Sequence, residues 1–178
     1  FRAIAAPPIR LARRWGLDPM GALFEDDKGR LEGVPFEWQR RLSNLQARFG
    51  VEALDGFDRS LSRRRAIAAR LIAGLDGILP IQKATRGADP AWLELTVLVK
   101  ERSAFQRALL ARGIDTQQTW MDACDTLEAF NTASGGPCPV AREINMQALY
   151  LPTYASLTDA QCDHIIRSVR EVSLQGGS

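Results

Sequence analysis

The side chains best suited to covalent or acid–base work in this chain are Lys28, Lys83, Lys100, His164 and three cysteines, Cys124, Cys138 and Cys162. Their settings argue against most such chemistry. The lysines stand in loops or at a strand end and read as solvated surface charge. A Ser/His/Asp triad would have to use His164, which lies beside Asp163 and Ile165 in a helical pattern and reads as a helix-surface or satisfied core histidine. The cysteines are odd in number, have no CxxC pairing and have only His164 to join them, so neither a disulfide framework nor a zinc site is expected. Glu25, Asp26 and Asp27 cluster in a loop-rich stretch and read as solvated charge. Gly135-Gly136, between Ser134 and Pro137, is a flexible turn more simply than a phosphate cradle, and the chain holds no GxGxxG, Walker loop, HExxH or GxSxG.

Charge points no more firmly to a partner. Lys+Arg 23 against Asp+Glu 21 leaves a net +2, too near balance to imply nucleic acid or an anionic membrane by field alone. The arginines are unevenly placed, at Arg10, Arg13, Arg14 and at Arg63, Arg64, Arg65. They motivate one alternative reading, a non-catalytic α+β interaction module with an Arg-rich helix, although no aromatics interleave the Arg63 run. At 178 residues with 46% hydrophobic content, the chain can bury one core, or one compact domain with an attached arm. Apolar runs are far short of the roughly 20 residues a bilayer requires, and no secretory leader is recognisable. A cytoplasmic protein with no membrane partner is expected. The start at Phe1, inside a helical pattern and without a Met, reads as a cut.

The elements that must position any site follow from periodicity and punctuation. Residues 1–35 form an N-terminal arm: an Ala- and Arg-rich helix interrupted by Pro7 and Pro8, then a loop rich in Asp, Gly and Pro. Over 36–76, Ala47, Gly50, Leu54, Phe57, Leu61, Ala68, Leu71 and Leu75 recur at steps of three and four, which predicts one long amphipathic helix with Arg59, Arg63, Arg65 and Arg70 mainly on its polar side. In 77–178, Leu93, Leu95, Val97 and Val99 alternate with polar residues as a half-buried strand packed on helices holding Leu109 and Ile166. Ser103 is placed to cap a helix that stops at Gly113, and Ile114 to Trp120 reads as a second strand. Pro139 opens a helix, Leu149 to Leu151 form a third strand, and Thr158 with Gln161 make a capping box for the last helix. The fold class is α+β: a small antiparallel sheet of about three strands with helices on one face.

Several segments resemble one family in order and spacing. Arg41-Leu42-Ser43-Asn44-Leu45-Gln46-Ala47 followed by Gly50 is similar to the opening of the interdomain helix in DegT/StrS-type sugar aminotransferases. Arg63-Arg64-Arg65 with Ala66 and Ala69, the turn Leu110-Ala111-Arg112-Gly113-Ile114, Pro139-Val140-Ala141, Leu151-Pro152 and Leu157-Thr158 resemble later segments of the same family.

This resemblance implies the C-terminal, small-domain portion of a fold-type-I enzyme that uses pyridoxal phosphate (PLP) to aminate a nucleotide-linked keto-sugar, with glutamate as donor. It implies a homodimer, and a large domain of the same enzyme as the source of the lysine that holds PLP. The chain alone is then expected not to transaminate. Family members carry Asn-x-Arg ahead of the helix, the Asn reaching the neighbouring subunit's cofactor phosphate. Gln39 and Arg41 occupy those positions, Gln keeping the amide donor on a longer stem. Trp120 and Cys124 fall at the sugar-nucleotide end of the family's cleft, where relatives often carry a His that this chain lacks.

Overall fold

A computed structural model describes residues 39–119, 122–127, 130 and 136–175. The expected N-terminal arm and Trp120 lie outside them. Helix α1 spans Asn44–Asp55 and α2 spans Phe57–Leu75. Strand β1 (Leu95–Leu98) leads to α3 (Arg102–Ala111) and to β2, only Gln117–Gln118. After a single 3-10 turn at Cys124–Thr126 come α4 (Pro139–Gln147), β3 (Ala148–Leu151) and α5 (Asp159–Gln175).

The sheet is antiparallel with β3 in the middle, order β1-β3-β2. Leu95 faces Leu151 and Val97 faces Leu149 across the β1–β3 ladder. Because side chains alternate along a strand, these four share one face. All four are buried, together with Ile67, Leu71 and Leu75 of α2, Leu109 of α3 and Ile165, Val169 and Val172 of α5. This is the α+β layer expected, with its core between one sheet face and the helices.

Local signals explain the boundaries. α3 ends in a Schellman arrangement: Gly113 at φ 79 donates its N–H to Leu110 O, and Ile114 donates to Leu109 O at 3.0 Å. Only glycine takes that left-handed conformation without strain, and the buried Ile114–Leu109 pair completes the motif. Thr158 and Gln161 form the reciprocal capping box at α5. Pro139 occupies the first turn of α4, where its missing N–H removes no helical bond.

Three expectations change. The long helix over 36–76 is two helices, because Gly56 closes α1, donating its N–H to Leu54 O, and opens α2. Glycine's backbone entropy makes it a poor interior residue. The α3 cap falls at Glu101 and not Ser103, without a side-chain bond. Leu93 is 71% exposed, since Trp92 takes φ 50 and turns the chain before the alternation of β1 begins.

Candidate functional site

Gln39 and Arg41 stand just ahead of α1, and their placement depends on its cap. Ser43 Oγ accepts from Gln46 N at 3.2 Å, while Gln46 Oε1 accepts from Ser43 N at 2.9 Å. This reciprocal pair fixes where the chain enters the helix. Arg41 is exposed and makes no hydrogen bond or ion pair with the described residues, so its five donors face outward. α1 buries none of its residues, yet Leu45, Phe49, Val51 and Leu54 are each more than 60% exposed on it.

Cys124 opens the 3-10 turn beyond β2 and is exposed, as is Cys138. Thr126 Oγ1 donates to Ala123 O at 2.7 Å, tightening the turn. Asp125 Oδ2 accepts from the Cys138 N–H at 2.6 Å and from Arg142 Nε at 2.9 Å. The Cys138 amide, foremost, and then the Arg142 charge hold the Asp125 carboxyl below the ordinary carboxylate range, against the opposing effect of desolvation. Tyr150 Oη donates to Thr119 Oγ1 at 3.0 Å, tying the residue after β2 to β3. No hydrogen bond or ion pair links Arg41 to Cys124. They lie on separate elements.

The arginine run faces the fold more than the solvent. Arg63 Nη2 donates to Leu157 O at 2.6 Å and to Asp159 Oδ1 at 2.7 Å. Arg64 Nη1 donates to Leu93 O at 3.2 Å. Arg65 donates to Pro90 O and Asp89 O at 3.2 and 3.1 Å and pairs with the Asp89 carboxylate. Three consecutive guanidiniums therefore fasten other segments to α2, so Arg63 and Arg65, expected on the polar side, spend their donors within the fold and offer fewer to an interaction partner. Arg10, Arg13 and Arg14 lie outside the described residues.

Two of the remaining reactive groups, His164 and Lys83, have structural partners among the described residues. His164 Nε2 lies 2.9 Å from Arg112 O at the end of α3, Lys83 Nζ donates to Asp76 Oδ1 at 2.6 Å, and burial pushes the Cys162 thiol up. Among the described residues, no group of three His, Cys, Asp or Glu could hold a metal ion, and no helix is long and apolar enough to cross a membrane. A cleft of about 560 Å³ opens between Arg59, Ser60 and Ser156 and another of about 470 Å³ over Asp76 to Lys83; neither is lined by Gln39, Arg41 or Cys124.

Sequence reasoning missed two contributors. Thr153 Oγ1 lies 3.0 Å from both Trp92 O and Leu93 O, holding the left-handed Trp92 in place. Asp125 gives no signal in sequence, because its partners are 13 and 17 residues away.

A sequence profile of the DegT/DnrJ/EryC1/StrS aminotransferase family matches residues 11–170. Among curated proteins nothing matches. Of solved structures, S. venezuelae DesV in complex with a ketimine intermediate shares the fold at TM-score 0.69 and 30% identity, covering 75% of this chain and 37% of that one. An aminotransferase of the same family from Brucella abortus matches at TM-score 0.69 and 23% identity, over 85% and 42% of the two chains. DesI in the presence of its TDP-sugar product matches at 0.66 and 22%, over 76% and 36%. The last two likenesses are of fold alone. The chain spans 36 to 42% of the length of these three proteins.

Proposed function

Since the chain belongs to the DegT/DnrJ/EryC1/StrS aminotransferase family, we propose that it is the small-domain part of a cytoplasmic, homodimeric PLP enzyme that transfers an amino group from glutamate to a nucleotide-linked keto-sugar. In this reading residues 36–76 carry the interdomain segment and 77–178 the small domain. The observation that carries it is α1: a helix with a closed capping box, no buried residue and a row of exposed large apolar side chains. Such a surface calls for a covering partner, and the large domain of the same enzyme is the one the family supplies.

The residues present fit one part of the cofactor and not the rest. Arg41 and the Gln39 amide offer donors of the kind a phosphate takes, and Arg does so in a planar fork that stays charged. The two described lysines do not fit a covalent role. Lys83 is held on the surface by Asp76, and Lys100 is exposed at the end of β1. The lysine that holds PLP is therefore assigned to the large domain, and no covalent step is derived through this chain.

When bound, PLP supplies the electron sink for moving the amino group. This chain's part is binding and orientation. Arg41 and Gln39 anchor phosphate across the dimer, and Trp120 and Cys124 line the acceptor-sugar end. That the sugar arrives on a nucleotide is supported by the DesI structure, whose product is a TDP-sugar.

The test is amino transfer by the whole protein, from glutamate to a TDP-linked keto-sugar, followed as the aminated sugar by mass spectrometry. The 178-residue chain supplied with PLP should give none. Transfer by the chain alone, with stoichiometric borohydride-trapped PLP on Lys83 or Lys100, would overturn the assignment.

A further inference from the structure

We propose that Asp125 is a positioning residue for the acceptor sugar, locking the turn that carries Cys124 against the start of α4. The inference rests on the assignment of Cys124 to the sugar end of the cleft.

One carboxylate oxygen, Oδ2, accepts both the Cys138 N–H at 2.6 Å and Arg142 Nε at 2.9 Å. These donors come from two levels of the same element: Cys138 precedes the first residue of α4, and Arg142 lies one turn along it. Held at both, the Cys124–Thr126 turn can neither slide along α4 nor rotate about a single bond. The Asp125 side chain is only 13% exposed, and bonds to an ionised acceptor are the stronger kind.

The pair is poorly built for stability alone. Asp125 Oδ1 is buried and has no hydrogen-bond partner among the described residues, and an acceptor left so offsets part of what Oδ2 contributes. What the arrangement does supply is position. Misplacing a substrate-contacting segment by about 1 Å can lower a rate by about a hundredfold.

The experiment compares Asp125→Asn and the milder Arg142→Gln with wild type in the whole enzyme. The expected result is a KM for the TDP-linked keto-sugar raised about tenfold, with the glutamate half-reaction, measured without sugar, unchanged. Hydrogen exchange at the Cys138 amide should quicken in Asp125→Asn. Faster exchange with an unchanged sugar KM in both variants overturns the inference, since the contact would then be structural only. Equal losses in both half-reactions also overturn it. A wild-type enzyme that uses glutamate but no nucleotide-linked keto-sugar overturns the functional assignment itself, and this inference with it.

Discussion

Gly74 of α2 lies so close to Ile166 of α5 that a Cβ built on it would stand 2.5 Å from Cδ1 and 2.9 Å from Cγ1 of that isoleucine. The two helices approach as they do because no side chain intervenes. Gly74→Leu should push them apart and destabilise by roughly 1 to 3 kcal/mol through overpacking. Chemical denaturation of the chain measures it. An unchanged midpoint would mean the helices have room to spare.

Val97 is fully buried in β1 opposite Leu149. Val97→Ala should lose roughly 1 to 3 kcal/mol, from burial plus the cavity left behind. Leu93→Ala, at an exposed position four residues earlier, should stay within about 0.5 kcal/mol. Equal effects would misplace the start of the strand.

Asp159 should make the fold acid-sensitive. Its bond from Arg63, then the Arg63 charge and more weakly that of Arg70, hold its carboxyl below the ordinary range, with desolvation opposing. A lowered native pKa means the contribution is complete above the unfolded carboxylate value, about 3.9, and drains away as pH falls through the native one. The urea midpoint of Asp159→Asn should therefore lie below wild type at pH 7, and the gap should narrow below about pH 4. A gap that widens in acid would reverse the sign.

Arg41 is the residue of this chain placed nearest to cofactor chemistry by the proposed function. In the whole enzyme, Arg41→Ala should weaken PLP retention or raise the sugar-nucleotide KM by roughly tenfold to a hundredfold. Arg41→Lys should recover only part of this, because the fork is lost. Arg40→Ala serves as control. Identical kinetics for the Arg40 and Arg41 variants would leave Arg41 as a solvated helix entry.

What the sequence disclosed and what it hid divide along physical lines. The Thr158–Gln161 box, the Gly113 stop and the alternation of Leu95, Val97 and Val99 are short-range signals, and each marks its element in the structure. The Gly56 break escaped notice because apolar spacing runs on through it, and spacing is blind to the backbone freedom of one residue. Ile114 to Trp120 promised a strand, but among its described residues only Gln117 and Gln118 pair with β3; pairing depends on the partner strand and not on local propensity. The arginine run was visible as charge, whereas its bonds reach residues 24 to 96 positions away. Asp125 was hidden for the same reason, on a smaller scale.

The joint between α2 and α5 also sets a timetable for synthesis. Arg63 bonds the carbonyl of a residue 94 positions on, and Arg170 bonds that of Gly74, 96 positions back. At a ribosomal rate of roughly 5 to 20 residues per second, α2 waits roughly 5 to 20 seconds for its partner helix. Throughout that interval Ile67, Leu71 and Leu75, all buried in the finished fold, have no α5 to cover them. A nascent chain in that state carries uncovered apolar surface of the kind that aggregates, and synonymous codons that slow translation between residues 76 and 158 would lengthen its exposure.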